Sequence, residues 1–166
     1  SEKRLRCLCL RTITFIIAPL PQINGELMTY KIAHLADVHI KNLKYHYEYR
    51  HVFDQLYAIL RENEVDYIYI GGDIAHTKTQ ISPEFVQLCS EFFTNLAGIA
   101  PLYLILGNHD GNLRNKSRQN AITPIVNALN NPNIHLLADA GEHIVNDNLA
   151  FNVLSVFDED NWVQPS

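Results

Sequence analysis

Three stretches of near-continuous apolar or β-branched residues mark the first two thirds of the chain: "KIAHLAD" at 31–37, "DYIYIGG" at 66–72 and "PLYLILG" at 101–107. Short runs of this kind predict strands covered on both faces of a sheet. Between the first two, "EYRHVFDQLYAILREN" repeats apolar side chains at Val52, Leu56, Ile59 and Leu60, the spacing of one helix face. Between the second and third, Ser82 is placed to cap a helix that Pro83 starts. Phe85, Leu88, Cys89, Phe92 and Leu96 form its apolar stripe and Gly98 ends it. The resulting βαβαβ order predicts a parallel sheet with right-handed crossovers and flanking helices, an α/β fold. Farther along, Pro124 predicts a short helix starting at Thr123. "NIHLL", "EHIV" and "LAFNVLSV" then predict three strands, with turns around "ADAGE" and "NDN".

Composition narrows this picture. The chain has 166 residues, of which 47% are hydrophobic and 19% charged, ordinary values for one globular domain. Cys7, Cys9 and Cys89 are odd in number and form no CxxC pair, which points to neither a disulfide framework nor a thiolate zinc site and fits a reducing compartment. The longest apolar run, "TITFIIAPL" at 12–20, is far short of a membrane-spanning helix. A cytoplasmic protein is expected. The only methionine, Met28, directly precedes the first predicted strand, so residues 1–27 are expected to be an extension outside the domain. Charge changes at the same place: residues 1–27 carry four basic and two acidic residues, and residues 28–166 carry nine and sixteen.

Ligands of parallel α/β sheets bind beyond the carboxyl ends of the strands, and three of these ends carry metal-type donors: "DVH" (37–39), "GGDIAH" (71–76) and "GNHD" (107–110). Asp37 and His39 flank one residue, so in an extended segment both side chains fall on the same side and can grip one ion. Asp73 has two carboxylate oxygens and can bridge two ions. Asn108 can offer an amide oxygen to the second ion, leaving His109 free to work on substrate. Oxygen and imidazole donors without thiolate suit Mn²⁺, with Mg²⁺ or Fe²⁺ as alternatives.

The ordered series D-x-H, GD and GNHD resembles the motifs of the calcineurin-like metallophosphoesterases. "HLADVHI", "GGDIAH" followed by "SPEFVQL", and "GNHD" followed by "SRQNAITPIVNAL" resemble more particularly the SbcD family of DNA repair exonucleases, phage recombination nucleases included. The likeness covers roughly residues 28–157, and "GDIAHTK" stands where protein phosphatases carry their own signature. The resemblance implies a metallophosphoesterase fold, a layered sheet with flanking helices. It also implies two divalent cations, manganese above all, that clamp a scissile phosphate. Asp37 and His39 would hold the first cation, Asp73 bridge, Asn108 hold the second and His109 assist the phosphate in catalysis, with His76 and Asp110 as accessory residues. DNA as substrate, a homodimer and an SbcC-type ATPase partner are implied as well.

The family's further metal-binding histidines, the last two closely spaced, have no match here. His135 and His143 read as structural or exposed histidines, His34 as a packed strand residue, and His46 and His51 as surface groups. The chain is therefore expected to be the N-terminal part of its domain, truncated, and weak or inactive as a nuclease by itself. Lys41, Lys44 and Arg50 follow the first motif, and Arg114, Lys116 and Arg118 the third; they are candidate contacts to a DNA backbone. Two other functions fit the same residues: a small-molecule phosphodiesterase or phosphatase, and an inactive module serving only for interaction.

Overall fold

The computed structural model describes residues 13–19, 29–78, 81–115 and 117–162. Its elements, in chain order, are β1 (Ile13–Pro19), β2 (Thr29–Leu35), α1 (His46–Glu62), β3 (Tyr67–Ile70), α2 (Pro83–Ala97), β4 (Leu102–Leu104), α3 (Thr123–Leu129), β5 (Ile134–Leu136), β6 (Gly141–Asn146) and β7 (Leu149–Val153). A 3₁₀ turn, Glu159–Asn161, follows. The main sheet runs β1-β2-β3-β4-β5, while β6 and β7 pair by themselves. Strands β2 to β5 are parallel, with Leu35 opposite Ile70 and Ile70 opposite Leu104, so their carboxyl ends finish side by side.

The helices form where the sequence predicts them, for identifiable reasons. In α2 the Ser82 side chain accepts the Phe85 N–H at 3.2 Å, Pro83 opens the first turn and Gly98 follows the last. In α3 Pro124 fixes the first turn, and just before the helix the Asn120 Oδ1 accepts the N–H groups of Ile122 and Thr123 at 2.9 and 2.7 Å. These helices bury their stripes on one face of the sheet. Phe53 of α1 stacks on Phe92 of α2 with ring centroids 4.0 Å apart, and both join Ala33, Leu35, Ile68, Ile70, Leu102 and Leu104 in one core. Truncating a buried Phe such as Phe92 typically costs about 3–5 kcal/mol.

The opposite face is built differently. There Tyr67, Tyr69, Tyr103, Ile105 and Leu137 pack under Val145, Phe151 and Val153 of the β6–β7 hairpin. In β3 the two faces alternate between fully and partly buried, so the expectation of two equally covered faces holds only for the helix side. The tyrosines keep polar ends: Asn146 donates to the hydroxyls of Tyr30 and Tyr67 at 3.2 and 2.9 Å.

One stretch differs from the expectation for residues 1–27. Residues 13–19 form β1, antiparallel to β2 along its whole length from Ile13 opposite Leu35 to Pro19 opposite Thr29, and Ile13 is buried in the main core. Its backbone finds partners in β2, which an extension outside the fold would not provide. The remaining residues of 1–27 lie outside the described set.

Candidate metal centre

Where β2 and β3 end, their loops stay hydrogen-bonded to each other. The His39 N–H donates to the Asp73 carbonyl at 2.9 Å, Ile40 to Ile74 at 2.7 Å, and His76 back to Ile40 at 3.0 Å. This pairing fixes an unusual backbone. Asp37, His39 and Asp73 all have positive φ, 54°, 48° and 52°, a conformation that costs a non-glycine residue about 1–3 kcal/mol. The segment 37–39 is therefore not extended, contrary to the sequence expectation. Two left-handed residues aim the side chains instead, and three ligand-type residues share the same strain.

The result is convergence. Asp37, His39 and Asp73 each offer a ligand atom, all within 4.8 Å of one another. Two carboxylates so close repel by about 1–3 kcal/mol for effective dielectrics between water and a protein surface. The His39 Nε2 lies 3.8 Å from the Asp37 Oδ1, too long and too exposed a pairing to offset that. His39 Nδ1 is buried without a hydrogen-bond partner among the described residues, which is uncommon for a buried polar atom. An anionic oxygen pair with an adjacent imidazole fits a divalent cation.

The third strand end is pressed against this cluster. A Cβ on Gly107 would collide with the Asp73 carboxylate, lying 2.7 Å from its Cγ, and one on Gly72 (φ 85°) would lie 2.7 Å from the Gly107 nitrogen. Only glycines allow this approach. The Asp73 Oδ1 accepts the His109 N–H at 2.9 Å, so the backbone of "GNHD" orients the carboxylate predicted to bridge. His109 Nδ1 lies 2.9 Å from the His76 carbonyl. The His109 ring sits edge-on to His39, centroids 4.8 Å apart, and parallel to His76 at 6.3 Å. Exposed Asn108 joins His76, Thr77, Lys78 and His109 around an open groove of about 380 Å³. Burial, then the charges of Lys41, His39 and His109, depress the His76 imidazole below its ordinary value.

Asp110 plays a different part from its neighbours. It is fully buried, and its two oxygens accept the N–H groups of Ala75 at 2.7 Å and Gly107 at 2.9 Å. It ties the β3 loop to the β4 loop beneath the site, and burial pushes its carboxyl up to about 6.

The basic residues separate. Lys41 lies with its Nζ 5.1 Å from the Tyr45 ring centroid, near His76. Lys44, Arg114 and Arg118 are exposed on loops, and Lys116 lies outside the described residues. Arg50 is engaged elsewhere: its Nε donates to Glu91 of α2 at 2.9 Å, bridging the two helices. Among the remaining histidines, His135 stacks on Tyr103 at 4.5 Å and His143 Nε2 meets the Asp139 carbonyl at 2.9 Å. His34 lies against Tyr69 in the sheet. His46 is more committed than a surface group, with its Nε2 2.7 Å from the Lys41 carbonyl, and His51 pairs with Gln55 on α1 at 2.9 Å.

One supporting residue escaped the sequence reading. Tyr49 of α1 is buried, and its hydroxyl donates to the His39 carbonyl at 2.7 Å while accepting the Lys41 N–H at 3.1 Å. It grips the loop from below. Its position three and four residues before Val52 and Phe53 places it on the buried stripe, where a tyrosine hydroxyl needs a partner. That was the available signal.

The parallel strands β2 and β3 thus end in an oxygen and imidazole cluster suited to a divalent cation. The chain belongs to the calcineurin-like phosphoesterase family, whose model matches residues 30–164. It is similar to an uncharacterized protein of Acanthamoeba polyphaga mimivirus, 43% identical over 133 residues. That match covers 78% of this chain but 10% of the relative, so the chain spans about a tenth of the curated relative's length. A solved structure, that of Pseudomonas putida nuclease MPE, is 22% identical with a TM-score of 0.48, over 80% of this chain and 63% of that one.

Proposed function

We propose that this chain carries the first half of a two-metal phosphodiesterase site acting on DNA, in a nuclease of the SbcD type. The observation that carries the reading is the convergence of Asp37, His39 and Asp73 within 4.8 Å at the ends of adjacent parallel strands. When bound there, divalent cations supply Lewis-acid polarisation of a phosphodiester and a nucleophile at neutral pH. The chain's own residues do the rest. Asp37, His39 and Asp73 fix the position of that charge, and the His109 N–H holds the Asp73 carboxylate in orientation. The His109 side chain lines the groove where a phosphate would lie, and its ring N–H can donate a hydrogen bond to a developing charge on oxygen. Manganese, a homodimer and an SbcC-type ATPase partner belong to the same proposal, through the motif series quoted above.

Two measurements test it. Calorimetry on this chain should register Mn²⁺ binding that Asp73→Asn removes. In the protein carrying the downstream histidines that the resemblance implies, Mn²⁺-dependent cleavage of linear DNA should exceed hydrolysis of bis(p-nitrophenyl) phosphate. Hydrolysis of the small diester alone would replace the nuclease reading with the small-molecule one, and absence of Mn²⁺ binding would leave only an interaction module.

A further inference from the structure

The loop between His39 and α1, together with the first turn of α1, displays apolar side chains that it does not bury. Leu43 is 66% exposed, Tyr47 83% and Tyr45 42%. Ile81, 41% exposed, is held beside them because Ser82 donates to the Asn42 side chain at 2.6 Å and to its carbonyl at 3.2 Å. Apolar residues scattered singly need no explanation, but a cluster next to a candidate site does.

Tyr45 is the most telling of them. It occupies the N-cap of α1 at φ 64°, ψ 23°, and makes no side-chain cap hydrogen bond. A bulky residue is disfavoured in that conformation, and Asn, Asp or Ser would cap better. Neither helix nor core accounts for an aromatic ring here. The ring instead carries the Lys41 ammonium 5.1 Å from its centroid, and the charge of the same ammonium reaches His76 on the groove. The loop is also locally cationic: residues 41–47 contain Lys41, Lys44 and His46 and no carboxylate, within a region of sixteen acidic and nine basic residues. Two acids flank it: Glu48, beside Tyr47 in the first turn of α1, and Glu84, in the first turn of α2, whose carboxylate interacts with His46.

We propose that this loop is a stacking platform for unpaired nucleotides, Tyr45 and Tyr47 taking base faces while Lys41 and Lys44 hold the flanking phosphates beside the groove of His76, Asn108 and His109. This rests on the nucleic-acid reading above and sharpens it: the preferred substrate end is single-stranded or frayed. Every base offers a π face, so such a surface binds without sequence preference, whereas bases in a closed duplex are already stacked on one another. Exposed lysines add the phosphate attraction that a duplex and a single strand share.

The test is fluorescence anisotropy on this chain with a 5′-labelled oligothymidylate of twelve nucleotides and a blunt duplex of twelve base pairs, at fixed low salt. The wild type should bind the single strand more tightly. Tyr45→Leu and Tyr47→Ala should each weaken single-strand binding by about 5- to 100-fold, the range of base–aromatic stacking, with little change for the duplex. Tyr45→Phe should bind as the wild type does, because it keeps the ring. Tyr47 is so exposed that its truncation cannot disturb the fold, which protects the experiment from a misfolded variant. Unchanged single-strand binding by both Tyr45→Leu and Tyr47→Ala overturns the platform and leaves the nuclease reading standing, as does an equal loss for duplex and single strand. Failure of the wild type to bind either DNA overturns both, and contact of the loop with a protein in place of the oligonucleotide overturns the platform alone.

Discussion

Removing the Tyr49 hydroxyl tests how the candidate centre is held. Tyr49→Phe keeps a buried ring packed 5.9 Å from Phe53 and deletes one oxygen that bonds the His39 carbonyl at 2.7 Å and the Lys41 N–H at 3.1 Å. Each lost hydrogen bond is worth about 0.5–1.5 kcal/mol net, more where the abandoned partner stays dry, so the fold should lose about 1–3 kcal/mol. The same amount matters locally. His39 sits at φ 48°, a strain of about 1–3 kcal/mol, opposed by the Tyr49 clamp together with the His39 and Ile40 bonds to the β3 loop. With the clamp gone, those two backbone bonds still favour the strained geometry but by a smaller margin. Mn²⁺ affinity should therefore fall by about three- to tenfold, a factor of ten being about 1.4 kcal/mol. Urea unfolding reads the first quantity as a lower midpoint at constant slope, and calorimetry reads the second. Stability lost with Mn²⁺ affinity intact would refute the coupling and leave Tyr49 a core residue. No change in either would mean that the hydroxyl holds nothing.

Other outcomes are expected from the same structure. Asp110→Ala leaves the buried N–H groups of Ala75 and Gly107 without acceptors, a loss of about 2–6 kcal/mol at about 1–3 for each; Asp110→Asn, which keeps one acceptor, should lose less, and equal urea midpoints for the two would count against the clamp. Gly107→Ala drives a methyl into the Asp73 carboxylate, so it should abolish Mn²⁺ binding by calorimetry; binding at wild-type strength would mean that the close approach is not required. Asp73→Asn should weaken more than one ion and Asp37→Asn mainly one, and equal single-ion losses would refute the bridging role of Asp73. For pH, burial lowers the pKa of His34 and of His135 below 6.5. The unfolded chain then binds more protons than the folded one below that value, so stability is full above about pH 6.5 and falls as pH drops through the lowered folded values. Replacing both histidines with Gln should flatten that slope in urea titrations, and an unchanged slope would assign it to other groups.

The fold was legible wherever local chemistry and tertiary packing agree. Ser82, Pro83 and Gly98 delimit α2 by themselves, since a cap, a fixed φ and a helix stop act without distant partners. The start of α1 was less so, because Tyr45 enters it left-handed and uncapped, held by its surroundings. β1 was hidden for a related reason. Its run "TITFIIAPL" precedes the charge change at Met28 and is too short to span a membrane. Its β-branched and aromatic residues Ile13, Thr14, Phe15, Ile16 and Ile17 suit a strand, but the partner that makes it one is the edge of β2, which local sequence does not name. Arg50 shows what sequence proximity alone does not give: it lies near Asp37 and His39 in the chain, while its Nε donates to Glu91 on α2 in the fold.

At the site, residue types could be read and geometry could not. D-x-H suggested an extended segment, where alternation alone would align two side chains. The structure aligns them through two left-handed residues instead, and adds a third at Asp73. No glycine marks these positions, and although Asp and His enter the left-handed region more readily than most side chains, residue type alone does not predict a positive φ at each. The conformation is imposed by bonds between loops, His39 to Asp73 and Ile40 to Ile74, and by Tyr49 from below. At "GNHD" the same division holds within four residues. Gly107 and the His109 N–H serve the approach to Asp73, and Asn108 and the His109 ring face the groove. Asp110, chemically the best cation ligand of the four, is instead buried as the brace between two loops. A carboxylate at a strand end is thus ambiguous from sequence, and burial decides: Asp110 is fully enclosed beneath the loops it braces, whereas Asp37 and Asp73 bring oxygens within 4.8 Å of a His39 nitrogen.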